Sequence, residues 1–356
     1  MKSLTKVILS NFLIFSFFIF ILEIFFGFWF SEHSFGPYMR EHRLKNNHYI
    51  LTYANETYDY IYRRNYHGFR GEEIDPSKID AVILGGSTVD ERYKPEEKTI
   101  TEQLNFMIKN KGHNFKIINA GIEGQSTFGY IFNFKHWFSK LKNFSPKLYI
   151  FYVGINDNGW ITSPDRKLDD NLGGDGHVKN PEKLEVFFDT LKNNSFIYDK
   201  LRIIKHKYHK TKKVMKYDLN YYQNEDLTNY EYINYDKALD LHNIDDLNAK
   251  YKKSISNYLD RIDVLIDFVE KRKGVPIFIN QVHYVGLADE GLFILNYSLI
   301  KHCNKKKLYC IDLAKKFEGQ LDYWFDQSHT TPLGSKMIAK TVIDELLDVV
   351  EKENLF

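Results

Sequence analysis

The chain has 356 residues, 43% hydrophobic and 27% charged, enough for one large core or two modest ones; this composition excludes collagen-like, low-complexity and wholly disordered classes. Lys and Arg number 49 against 47 Asp and Glu, a net charge of +2 that lacks the basic surplus nucleic-acid backbones call for. Only Cys303 and Cys310 are present, which rules out a disulfide-dense scaffold and a four-cysteine zinc site; one bridge is open to the pair, and two free thiols are the expectation.

Val7 to Phe30 is almost purely apolar, interrupted by Ser10, Asn11, Ser16, Glu23 and Gly27. As a helix the segment reaches about 36 Å, against roughly 30 Å of bilayer hydrocarbon, so one tilted transmembrane helix fits. No small-residue cleavage site follows it, which makes it an uncleaved signal anchor with membrane lipid as its partner. Lys2 and Lys6 precede the span, and Arg40, Arg43 and Lys45 follow it. A long folded domain is translocated largely regardless of charge, so residues 1–6 form a cytoplasmic tail and the rest lies outside the cell membrane. Glu23 reads either as a paired intramembrane carboxylate with a function or as one that is protonated or drawn to the outer interface.

Residues 31–78 read as a connector that packs onto the domain, with a turn-like run His67-Gly68-Phe69-Arg70-Gly71. From residue 79 the pattern becomes regular. An apolar run Ala81 to Leu84 precedes a helix over 100–111, a second run over 116–120 precedes a helix over 128–141, and a third run spans 148–153. The alternation returns with a helix over 254–273, a strand over 275–280, a helix over 292–303, a strand over 308–313 and a last helix from Pro332 to about Glu351, capped by Thr331. Continuous apolar strands indicate burial on both faces. They imply an α/β protein of flavodoxin-like type, a three-layer sandwich around a five-stranded parallel sheet.

Between these halves lies an insertion at about 160–250 with segregated charge. Lys200 to Lys216 holds eight Lys or Arg and no acid, and Asp218 to Asp246 holds eight acids and one Lys. Leu201, Ile204, Tyr208 and Met215 lie near helical spacing in the basic part. That part reads as a solvated helix paired with the acidic stretch, or as a surface for anionic lipid headgroups or an anionic glycan.

Four short stretches carry candidate chemistry. Gly85-Gly86-Ser87-Thr88 leaves the first strand and exposes a hydroxyl at the carboxyl edge of the sheet. Asn119 to Ser126 leaves the second, where Gly124 allows close approach of a backbone N–H. Gly154-Ile155-Asn156-Asp157 leaves the third, where the Asn156 amide can donate to the same oxygen. Asp326-Gln327-Ser328-His329 precedes the last helix and combines an imidazole base with a carboxylate to hold its tautomer. A doubly wound sheet gathers the first three loops on one rim.

In these four ordered blocks the sequence resembles the SGNH (GDSL-like) hydrolase family, over about Asp80 to Glu351 with the insertion unmatched. The resemblance implies a serine esterase with Ser87 as nucleophile, His329 as base and Asp326 orienting it. Its oxyanion hole would comprise the Ser87 N–H, the Gly124 N–H and the Asn156 side chain, with no metal or other cofactor. His329-Thr330-Thr331-Pro332-Leu333-Gly334 is similar to the family's ending. Gly86 departs from the aspartate of the name-giving motif and resembles the Gly-Gly-Ser-Thr variant of membrane-anchored bacterial members, which also tend to carry a Gly-Phe-Arg-Gly segment like Gly68 to Gly71. Such relatives suggest acyl groups, O-acetyl among them, on envelope glycans as substrate. The alternatives are an O-acyltransferase that modifies a cell-surface polysaccharide, and a non-catalytic glycan-binding or assembly protein.

Overall fold

The computed structural model describes residues 2–27, 29–30, 45–53, 56–165, 183–209, 214–219 and 230–356; Arg40, Arg43 and the remaining parts of the connector and insertion lie outside the described residues. In chain order the elements are α1 (Lys2–Phe26), β1 (Lys45–Tyr53), β2 (Glu56–Arg64), β3 (Ala81–Leu84), α2 (Ser87–Asp90), α3 (Ile100–Asn110), β4 (Ile117–Asn119), α4 (Thr127–His136), β5 (Leu148–Val153) and α5 (Ile155–Asn158). The insertion supplies α6 (Lys183–Asn194), α7 (Phe196–His209), β6 (Val214–Asp218), α8 (Tyr235–Leu241) and α9 (Ile244–Lys250). The second half adds α10 (Lys252–Glu270), β7 (Val275–Asn280), α11 (Glu290–Lys306), β8 (Tyr309–Ile311), α12 (Leu313–Lys316) and α13 (Pro332–Lys352).

Strands β4-β3-β5-β7-β8 form a five-stranded sheet, every neighbouring pair parallel. The five parallel strands are those expected of the apolar runs, and their order is the flavodoxin-like 2-1-3-4-5. All residues of β3 and β5 are buried, as strands covered on both faces must be. Helix α3 packs on α13, while α10 packs on both α4 and α11, which gives the two helical layers. Caps set where the helices start: Thr99, Ser126, Asp289 and Thr331 each accept a backbone N–H at the first turn of α3, α4, α11 and α13.

The connector carries more structure than its mixed composition indicates. β1 and β2 pair antiparallel along nine residues each, and β6 from the insertion adds in parallel to make a second, three-stranded sheet. Its core is aromatic: Tyr49 stacks on Tyr60 at 5.7 Å and meets Tyr62 edge-on at 6.0 Å, and Phe325 of the last loop completes the cluster. Met215 therefore lies on a strand and packs against this cluster, rather than continuing the basic helix. Phe69 is fully buried against Trp137 and Phe144 in the main core.

One further expectation changes. Cys303 and Cys310 form a disulfide instead of remaining free thiols. The chain turns through left-handed Lys307 directly after α11, which brings the two Cα atoms to 6.2 Å, within bridging distance. Glu23 is partnered: it accepts from Ser195 Oγ at 2.7 Å, from the N–H groups of Phe196 and Ile197, and from Trp29 Nε1. Helix α1 is long and apolar enough over Leu4–Phe26 to cross a membrane.

Candidate active site

Ser87 opens the four-residue helix α2 at the carboxyl end of β3. The turn is tight: Gly86 O accepts from both Val89 N and Asp90 N, and Glu91 takes the left-handed conformation that ends the helix. Position 86 has no room for a side chain, because a Cβ there would lie 1.9 Å from Asn156 Nδ2 and 2.9 Å from Gln125 O. Glycine at this position is thus a steric requirement of this site.

The three strand-end loops are tied to one another. Asn156 Nδ2 donates to Gln125 O at 2.8 Å, binding the third loop to the second. Asp157 accepts from Thr127 Oγ1 at 2.5 Å and from Arg261 Nη2 at 3.3 Å, which joins the same loops underneath. Burial holds the Asp157 carboxyl above its ordinary range, against the opposing pull of Arg261 and Thr127. Gly124 adopts a left-handed φ of 75° that suits glycine. Among the described residues, no group accepts a hydrogen bond from the backbone N–H of Ser87 or Gly124. Both donors therefore remain available.

His329 comes from the other end of the chain. Its Nε2 lies 2.7 Å from Ser87 Oγ, and its Nδ1 lies 2.7 Å from Asp326 Oδ2. Asp326 also accepts from the backbone N–H of Ser328 and of His329, so one carboxylate shapes the loop and orients the ring. Burial pushes the Asp326 carboxyl up, but the imidazole and these N–H donors more than offset it and hold the group below the usual carboxylate range. With Asp326 ionised, Nδ1 carries the proton and Nε2 can accept one from Ser87.

The two sides are joined by residues that the sequence motifs do not include. Lys94, four residues past α2 and 2% exposed, donates to Glu91 at 2.8 Å, to Thr330 Oγ1 at 3.0 Å, to Thr330 O and to Ser335 Oγ at 2.6 Å. Burial pulls its ammonium below the ordinary lysine range, with Glu91 opposing. Gln281, at the end of β7, donates to Thr88 Oγ1 and accepts from Ile155 N, both at 2.8 Å, so it spans the Ser87 and Asn156 loops. The connector contributes from below. Arg70 donates to Asp90 O and to Lys94 O, and Arg64 pairs with Asp90 at 2.6 Å with both side chains buried. Of these supports only Arg70 lies in the Gly-Phe-Arg-Gly segment that the sequence singles out.

Beside His329 stands an aromatic wall. Tyr93 meets its ring edge-on at 6.5 Å, and half-exposed Tyr217 of β6 meets Tyr93 at 5.4 Å. Arg92 pairs with Glu123, next to Gly124. No group of three or more His, Cys, Asp or Glu is placed to hold a metal ion among the described residues.

No protein-family description and no curated protein matches the chain. Among solved structures, TesA is similar at 9% identity and a TM-score of 0.43, over 76% of this chain and 98% of TesA. A member of the lipolytic protein G-D-S-L family from Veillonella parvula gives 13%, 0.40, 75% and 97%, and a mutant of Axe2, an acetyl-xylooligosaccharide esterase from Geobacillus Stearmophilus, gives 9%, 0.42, 75% and 93%. Likeness of this size leaves the chemistry to rest on the side chains described above.

Proposed function

We propose that this chain is a membrane-anchored serine esterase of SGNH type that removes acyl groups from a glycan on the outer side of the membrane. The contact that carries the reading is the 2.7 Å approach of Ser87 Oγ to His329 Nε2, with Asp326 behind the ring. Ser87 Oγ attacks the ester carbonyl as His329 takes its proton, and the tetrahedral oxyanion accepts from the Ser87 N–H, the Gly124 N–H and the Asn156 amide. His329 then returns the proton to the departing sugar hydroxyl. Water, deprotonated by the same imidazole, releases the acid and restores Ser87.

A glycan substrate is supported by the wall of Tyr93 and Tyr217 beside His329, whose faces suit the C–H faces of a sugar ring, and by the nearby Arg92 and Glu123, which suit its hydroxyls. An outer location is supported by the apolar α1 and by the Cys303–Cys310 bridge, which persists in oxidising compartments. A fluorophosphonate probe tests the nucleophile: it is expected to label Ser87, and Ser87→Ala is expected to lose ester cleavage by on the order of 10⁶ while unfolding at the same temperature. Full activity in that variant overturns the assignment, and failure of the folded protein to label favours a non-catalytic glycan-binding role.

Transfer to a second sugar in place of water uses the same residues. A labelled acyl donor incubated with and without acceptor glycan separates the two: free acid under both conditions means hydrolase, acylated glycan means transferase.

A further inference from the structure

Helices α6 and α7 form a hairpin turned at Ser195, whose Oγ accepts from Tyr198 N and caps α7. On α6 the large side chains Leu184, Phe187, Phe188 and Leu191 follow the i, i+3, i+4, i+7 spacing of a single face, and all are exposed at 37% or more. On α7, Leu201 and Ile204 are each 57% exposed. A water-facing apolar surface of this extent marks an interaction site.

Where the hairpin is held identifies what covers it. The Glu23 carboxylate of α1 accepts from Ser195 Oγ and from the first N–H groups of α7, at the positive end of that helix, and Phe26 packs on Phe196 at 5.4 Å. The apolar stretch Leu4–Phe26 rises about 34 Å, so Glu23, roughly 4.5 Å before its end, falls where a spanning helix leaves the hydrocarbon. Trp29, which donates to the same carboxylate, suits that depth. The sequence of α7 carries Lys200, Arg202, Lys205 and Lys207 and a single acid, Asp199, which is buried.

From these observations we infer that the α6–α7 hairpin lies in the headgroup layer of the membrane that α1 spans, apolar face toward the acyl chains, and takes anionic lipid as its ligand. Apolar faces set about 5–10 Å into the interface beside basic residues are the pattern of interfacial helices. The inference rests on α1 crossing the membrane, and it gives the insertion a role independent of the hydrolytic reading. Glu23 then acts as the bolt between the span and the hairpin.

The test uses the full-length chain in vesicles of phosphatidylcholine with phosphatidylglycerol. An environment-sensitive fluorophore is placed on a cysteine introduced singly at Phe187→Cys, Leu201→Cys, Phe15→Cys in the middle of α1, or Lys336→Cys at an exposed position of α13; the native cysteines are bridged. The dyes at 187 and 201 are expected to shift to the blue and to be quenched most by lipids spin-labelled about 5–10 Å below the headgroups, the dye at 15 by deeper labels, and the dye at 336 by none. Replacing phosphatidylglycerol with phosphatidylcholine is expected to weaken quenching at 187 and 201, and unchanged quenching would overturn the role of anionic lipid. Dyes at 187 and 201 as water-like as at 336, with 15 quenched, overturn the inference. Dyes that are sheltered but unquenched by lipid overturn it too, since protein then covers the face. A dye at 15 that escapes quenching removes the spanning helix on which the inference stands.

Discussion

The two sides of the candidate site are held by different means. Ser87, Gly124 and Asn156 leave adjacent parallel strands, so the sheet register brings them together and short bonds such as Asn156 Nδ2 to Gln125 O only refine their positions. Asp326 and His329 sit on a loop outside the sheet, aligned by buried polar contacts from Lys94 and backed by the aromatic small sheet through Phe325. A strand-borne group should therefore tolerate loss of its neighbours better than a group positioned by a buried charge.

Leaving the nucleophile itself aside, the largest expected effect lies in the loop half. Asp326→Asn keeps the shape of the carboxylate but favours the wrong imidazole tautomer, and turnover of a chromogenic ester is expected to fall by on the order of 10⁴ with little change in Tm. A loss of tenfold or less would mean that the ring is oriented by something else. Lys94→Met leaves Glu91 buried without its cation, and urea unfolding is expected to register a loss of about 3–5 kcal/mol together with lower activity as the His329 loop loosens. Stability at the wild-type level would break the contrast between the halves.

On the strand side, Asn156→Ala removes one donor of the proposed oxyanion hole. A drop of about 10²–10³ in kcat is expected, with KM and unfolding temperature nearly unchanged. If the protein instead unfolds, the amide is a structural tie between loops.

The smallest effect is in acid. Burial pushes the Asp90 carboxyl up, but Arg64, Arg92 and Arg70 with the Tyr62 hydroxyl hold it below the ordinary carboxylate range. A group depressed on folding adds stability that is complete above its unfolded value of about 3.9 and is lost as pH falls through the folded one. Asp326 has the same sign. Urea midpoints measured downward from about pH 5 should fall for the wild type and fall less steeply for Asp90→Asn. Equal slopes would remove Asp90 from the acid response.

Much of this was legible in one dimension. The three apolar runs became β3, β4 and β5, and the polar residues that follow them became one side of the site, because a buried strand and its turn are encoded by neighbours in the chain. Thr331 before Pro332 marked where α13 begins, and with it the adjoining His329 loop. The connector's strands were missed because β1 and β2 gain stability from tyrosines packed across the sheet and from β6, more than 150 residues away, and their apolar pattern alone is weak. Lys94 looks like any surface lysine until its ammonium meets Thr330, and Gln281 like any strand-end polar residue until it spans two loops. Local pattern encodes which residues form an element and where it stops. Which distant group each polar side chain meets depends on how the elements pack, since only packing removes the water that would otherwise satisfy it, and that alone fixed the Cys303–Cys310 bridge, the partners of Glu23 and the alignment of His329 with Ser87.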